Sequence, residues 1–154
     1  MAKLEWCRKQ KSGIKFIEPN DNLAEEYIST AEETLATLKS IKNNSRVWLA
    51  TTQYYCEYFA IYALLMKLGI QSEIHECTIS VSSWLEKKKI VPIGYTERLS
   101  IHKVLRIDNQ YYLKNREVII DYDKLLNFIL DIKNIINTMK NSDIRKIREE
   151  LMKK

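Results

Sequence analysis

The 154 residues of this chain are 45% hydrophobic and 29% charged, which is enough apolar material for one folded domain and excludes a wholly disordered protein. Only three glycines and two prolines occur, and this scarcity of turn residues favours a few long helices over a β-rich fold. The net charge of +5 permits a polyanionic partner such as RNA without requiring one.

Residues 1–20 are predicted to form an irregular basic arm, whose several large apolar residues can pack against a core. The arm lacks the apolar stretch of a signal peptide, so we expect a cytoplasmic protein. The cysteines, Cys7, Cys56 and Cys77, are odd in number, widely spaced and without a CxxC pair. We therefore expect reduced thiols and not a disulfide framework.

The first two predicted helices form an αα-hairpin. The first begins near Asp21 and ends near residue 42, and its apolar residues are spaced 4, 3, 4, 3, which is typical of antiparallel, coiled-coil-like packing. The second is capped by Ser45 and runs to a left-handed C-cap at Gly69. Because it is apolar on most sides, it is expected to be the buried spine of the domain.

Three further helices are predicted over residues 77–88, 96–114 and 121–140. Leu99, Val104, Leu105 and Leu113 are expected to anchor the fourth, and the fifth repeats the 4, 3, 4, 3 spacing. Residues 117–121 have strand-like composition but no visible partner strand, so we interpret them as an apolar loop.

The expected fold is therefore all-α. An up-and-down bundle of four to five helices (residues 21–140) follows the irregular N-terminal arm (1–20), and a short charged helix (141–154) ends the chain. The longest apolar run, residues 58–66, is about half of what a membrane span requires, so no membrane partner is expected.

Three stretches on these helices, residues 54–65, 73–79 and 105–112, together resemble the HEPN superfamily, and more closely its small prokaryotic stand-alone members. The resemblance covers residues 20 to 140 and implies a bundle that forms a homodimer along its fourth helix and the adjoining hairpin. It also implies a metal-independent ribonuclease motif, an Arg followed after four to six residues by a His, with two copies facing each other across the dimer cleft. Many such proteins are toxins encoded beside a nucleotidyltransferase antitoxin.

Arg106 matches the Arg of this motif, but the three permitted His positions hold Tyr111, Tyr112 and Leu113. A tyrosine with a pKa near 10 is a poor base at pH 7, and losing a proton-transfer group typically costs about 10²–10⁴-fold in rate. His102, four residues before Arg106 on the same helical face, is an alternative proton-transfer group.

The candidate catalytic residues are therefore Arg106, Tyr111 and His102. The candidates for binding RNA or a nucleotide are Arg106, Asp108, Asn109, Gln110 and Tyr112. Ordinary structural roles compete with these assignments: the polar residues can be a hydrated or dimer-lining face, and the tyrosines of the second helix can be core residues. The two histidines form no metal-ligand motif, so neither a metal nor a cofactor is expected.

Two hypotheses from different classes remain open. The first is a HEPN-type component of a toxin–antitoxin-like or nucleotidyltransferase-paired system, which binds RNA or nucleotide in a dimer cleft and has weak metal-independent ribonuclease activity. The second is a non-catalytic helical dimer that serves as an interaction module for a nucleotidyltransferase partner, and the missing motif His favours it.

Overall fold

Seven helices and one pair of two-residue strands make up the fold in the computed structural model, which describes residues 1–154. In chain order they are α1 (Leu4–Lys9), β1 (Lys15–Phe16), α2 (Asp21–Ser40), α3 (Arg46–Leu68), β2 (Ile70–Gln71), α4 (His75–Lys87), α5 (Tyr95–Gln110), α6 (Tyr122–Thr138) and α7 (Asn141–Met152). The predicted all-α bundle is confirmed, and the five predicted helices correspond to α2 to α6.

The α3 helix is the buried spine of the bundle. Fifteen of its 23 residues are buried, and α2, α5 and α6 all pack against it. The 4, 3, 4, 3 spacing of α2 is confirmed as its buried stripe, from Ala24 to Leu38, and α6 likewise buries its predicted positions from Leu125 to Ile136. The hairpin therefore forms as the apolar pattern predicts, because each stripe has an apolar helix to cover it.

The end of α3 is fixed by Gly69, which has a φ of 68° as the sequence predicts. A Cβ at this position would lie 2.4 Å from the Ile17 carbonyl oxygen and 2.3 Å from Nη1 of Arg148, so no side chain fits. The same Nη1 donates to the carbonyls of Ile17, Leu68 and Gly69, each at 2.8 Å. The α7 helix thus closes the C-terminus of α3 through one cation.

The α5 helix differs from its prediction in length and in its apolar contacts. It ends at Gln110 and not at residue 114, and of its four expected anchors only Leu99 is fully buried. The helix ends beside Asn109, whose side chain accepts a hydrogen bond from the N–H of Arg116 and donates one to its carbonyl. These two bonds fold the loop after α5 back onto the end of the helix. Val104 and Leu113 are exposed, so their predicted role as anchors is wrong.

The N-terminal arm is more ordered than the sequence predicts, because it contains α1 and β1, and β1 pairs antiparallel with β2. The expectation of three reduced thiols is wrong for two of them: Cys7 of α1 and Cys77 of α4 form a disulfide across 70 residues. Cys56 is free and buried. Residues 117–121 form no strand, as predicted. None of the helices has the length and hydropathy needed to span a bilayer.

Candidate functional site

A buried carboxylate, Glu57 on α3, lies at the centre of the polar contacts between α3 and α5. Its side chain is fully enclosed. Oε1 accepts a hydrogen bond from Nε of Arg98 at 2.7 Å, and Oε2 lies 2.7 Å from Nδ1 of His102. Both partners come from one face of α5, because residues four apart on a helix lie above one another. We call these three residues the Glu57 network.

Arg106 is one helical turn beyond His102 on the same face of α5 and is only 9% exposed. Its guanidinium carbon lies 4.8 Å from the ring centroid of Tyr54 and 5.5 Å from that of Tyr55, which is cation–π distance. Nη1 donates to the Tyr55 hydroxyl at 3.2 Å, whereas Nε is enclosed and has no hydrogen-bond partner. The cation is thus held by two aromatic rings and not neutralised by a carboxylate.

His75, the first residue of α4, contacts Tyr54, which is one of the two rings that hold Arg106. Its ring stacks on Tyr58 at 4.3 Å, and its Nδ1 lies 2.8 Å from the Tyr54 hydroxyl. Burial lowers the pKa of His75 to about 4, and the nearby charges of Arg106 and Lys103 act in the same direction. Burial raises the pKa of Tyr54. The tyrosine therefore donates its proton to a neutral imidazole at pH 7.

Lys103 adds a further positive charge to this part of α5. It forms an ion pair with Glu76 in the first turn of α4. Partial burial lowers the pKa of Lys103, and repulsion from Arg106 contributes to the shift. Arg98, Lys103 and Arg106 therefore give α5 a cationic row, in which Arg106 alone forms neither a salt bridge nor a hydrogen bond with a carboxylate.

The predicted site residues divide into two groups. His102 and Arg106 share the face that packs on α3, as the spacing predicts, but Tyr111 and Tyr112 lie beyond the end of α5 and are about two-thirds exposed. No hydrogen bond or ring contact joins Tyr111 to Arg106.

Asp108, Asn109 and Gln110, the other predicted binding residues, lie in the last turn of α5. Asp108 pairs with Lys114 and Arg116, and these partners lower its pKa. Asn109 holds the following loop, and Oε1 of Gln110 is enclosed without a partner. The first two therefore shape the loop after α5.

Sequence reasoning missed Glu57, Arg98 and Lys103. A signal for Glu57 was present, because it is the one charged residue between Arg46 and Lys67 in the most apolar helix of the chain. A lone charge in such a run needs a partner elsewhere, since an unpaired buried carboxylate is strongly destabilising. No comparable signal identified Arg98 as that partner.

The fold and the site define a helical-bundle protein whose fifth helix carries a cationic row over buried aromatic rings and one buried carboxylate. No protein-family model, curated protein or solved structure matches this chain. No group of three or more His, Cys, Asp or Glu side chains is arranged to hold a metal ion.

Proposed function

We propose that the protein is a HEPN-type component of a prokaryotic toxin–antitoxin-like or nucleotidyltransferase-paired system, and that it binds RNA or a nucleotide at the cationic row of α5. The proposal depends above all on Arg106, a nearly buried cation with no carboxylate partner and an unsatisfied Nε. The family resemblance assigns the phosphate-binding Arg of the motif to the same residue.

Phosphate recognition follows from the chemistry of this row. A guanidinium is planar and offers paired donors, which suits the oxygens of a phosphate. Tyr54 and Tyr55 hold the Arg106 side chain, so little rotamer entropy remains to be lost on binding. Lys103 and the net charge of +5 add attraction for a polyanion.

An adjoining groove offers a surface for an unpaired base. It has a volume of about 340 Å³ and lies between α2 and α3. It is lined by several threonines and one carboxylate, Glu33, together with Trp48, Tyr55 and Phe59. Trp48 is 61% exposed, which leaves much of its ring free to stack. Tyr55 lines the groove and also accepts a hydrogen bond from Arg106. A phosphate bound at Arg106 and a base bound in the groove would therefore be separated by the Tyr55 side chain alone. Aromatic stacking of this kind binds single-stranded nucleic acid.

The Glu57 network provides the proton-transfer group for a weak metal-independent ribonuclease activity. Glu57 holds Nδ1 of His102, which fixes the ring and leaves Nε2 without a protein partner. Carboxylate–imidazole pairs of this kind orient general acid–base groups in enzymes. His102 thus takes the role that the missing motif His would have had, and Tyr111 has no comparable support.

A homodimer along α5 is the expected assembly. The side of α5 that faces away from α3 exposes Ile101 and Val104, at 57% and 52%, and both lie on one stripe of the helix. A second copy packed on this stripe would cover both residues and bring two α5 helices together. Light scattering at micromolar concentration tests this assembly, and a monomer would refute it.

The decisive experiment compares the wild-type protein with Arg106→Ala in binding a short fluorescently labelled single-stranded RNA by anisotropy. Losing a charged hydrogen-bond donor costs about 1.5–3 kcal/mol, so the affinity should fall roughly 10- to 150-fold. Arg145→Ala is the matched control, because Arg145 is an exposed cation of α7 without an ion pair. Equal affinities for the wild type and Arg106→Ala would refute the proposal.

Cleavage is measured separately on the same RNA in excess chelator. His102→Ala should abolish cleavage while circular dichroism reports an intact fold, and Tyr111→Phe should leave cleavage unchanged. The reverse result would transfer the proton-transfer role from His102 to Tyr111.

A second candidate function is the non-catalytic interaction module for a nucleotidyltransferase partner. It is favoured by the exposed apolar residues after α5, Tyr111 to Leu113, which no part of the chain covers. On this alternative the purified protein binds the product of a neighbouring nucleotidyltransferase gene, and Leu113→Glu weakens that complex. RNA is then neither bound at Arg106 nor cleaved.

A further inference from the structure

The Cys7–Cys77 disulfide joins two parts of the chain whose contact matters for the site. Cys7 is the one buried residue of α1, and Cys77 lies in the first turn of α4. His75 and Glu76, the two residues before Cys77, contact Tyr54 and Lys103 respectively. The covalent bond therefore holds the backbone turn from which the α4 side of the site is built.

The polar contacts between the arm and the α4 region are few and are mostly single hydrogen bonds. Ser80 donates to the Ala2 carbonyl at 2.6 Å, and the Glu73 N–H donates to the Ser12 carbonyl at 2.9 Å. The β1–β2 pair has only two residues on each side. A helix as short as α1 is not stable alone, so the disulfide is the strongest single link that keeps α1 on α4.

We propose that Cys7–Cys77 is a reversible redox switch, in which a dithiol reductant releases α1 from α4 and loosens the first turn of α4 at the site. A thiolate of the reductant attacks one sulfur, the S–S bond breaks, and a mixed disulfide forms. The second thiol of the reductant then displaces the protein thiol. The two cysteines gain two electrons and two protons, and the reductant becomes a disulfide.

Access to the sulfurs is controlled by α1. Both cysteines are fully enclosed, so attack requires the residues of α1 around Cys7 to open locally while the disulfide is still intact. Most of the other side chains of α1 are exposed or half-exposed, and short elements of this kind open locally without unfolding the core. Reduction is therefore slow while α1 is closed, and after reduction only the weaker hydrogen bonds between the arm and the α4 region bring the arm back to α4 for reoxidation.

The test uses the full chain and does not involve RNA, so its failure leaves the RNA-binding proposal intact. Thiol titration of the denatured protein should count one thiol (Cys56) after mild oxidation and three after treatment with dithiothreitol. Hydrogen exchange should then be at least tenfold faster in the reduced protein at amides of α1 and of the first turn of α4. Amides of α6 should be unchanged and serve as the internal reference.

Cys7→Ser should reproduce the reduced exchange pattern without any reductant, and Cys56→Ala should retain the oxidised pattern and its response to reductant. Three titratable thiols after oxidation would overturn the proposal. So would equal exchange at the first turn of α4 in the oxidised and reduced proteins. Reversible reduction of the wild-type chain supplies the same comparison if Cys7→Ser folds poorly.

Discussion

Replacing Glu57 by glutamine tests whether the polar contacts between α3 and α5 stabilise the fold. The change keeps the shape of the side chain but removes the charge that both Arg98 and His102 face at 2.7 Å. Breaking a buried ion pair by removing one partner costs about 3–5 kcal/mol. Glu57 itself is fully enclosed, whereas the side chains of Arg98 and His102 retain 23% and 16% of their exposure, so water offsets part of the loss.

We therefore expect Glu57→Gln to lower the free energy of unfolding by about 2–4 kcal/mol, about 1 kcal/mol below the range for fully buried pairs. Urea unfolding at pH 7, followed by far-ultraviolet circular dichroism, measures this directly. Glu33→Gln is the control, since Glu33 is an exposed carboxylate of α2 without an ion pair, and its effect should stay within about 0.5 kcal/mol.

A double-mutant cycle separates the ion pair from packing. Once Arg98 is replaced by methionine, Glu57→Gln should cost less than it does in the wild type, with a coupling energy of about 1–3 kcal/mol. Strict additivity of the two changes would refute the ion pair. A single-mutant effect as small as that of Glu33→Gln would refute the burial of the Glu57 charge.

Three further predictions concern other parts of the molecule. The pKa of His75 is lowered to about 4 in the folded protein, so the unfolded chain binds more protons between pH 6.5 and 4. The free energy of unfolding should therefore fall by about 1–2 kcal/mol over this pH range, after allowance for partial exposure. Urea titrations should show a flatter pH dependence for His75→Gln, and an unchanged pH dependence would contradict this prediction. Gly69→Ala should destabilise by about 2–4 kcal/mol in thermal or urea unfolding, because it combines a φ of 68° with a Cβ that meets the Ile17 carbonyl oxygen at 2.4 Å. Ile101→Glu should convert a dimer to a monomer in light scattering, whereas Ile93→Glu, at a more exposed isoleucine before α5, should not.

The elements that the sequence predicts well are those whose partners are apolar and near in sequence. The 4, 3, 4, 3 stripe of α2 needs only an apolar helix beside it, and the next helix of the chain supplies one. Gly69 is predicted because a left-handed C-cap is a local requirement of the backbone.

The parts that sequence reasoning missed depend on specific pairs far apart in the chain. Glu57 and Arg98 are separated by 41 residues, and Cys7 and Cys77 by 70. Periodicity shows which face of a helix is apolar, but it does not show which polar residue on another helix lies opposite. The end of α5 was misplaced for a related reason, because Asn109 forms its hydrogen bonds with a residue beyond the helix.

The distribution of side chains on α5 is itself an argument for its role. Of its five buried residues, only Leu99 is apolar, while Ile101 and Val104 face outward. A helix that serves only the core would be arranged the opposite way, since apolar burial stabilises and buried charge is costly. Polar pairs such as Glu57–Arg98 instead fix the helix in one register, and they keep Arg106 at a defined place over Tyr54 and Tyr55. This arrangement supports the proposals that α5 contributes to a ligand site beside α3 and contacts a second subunit on its opposite side.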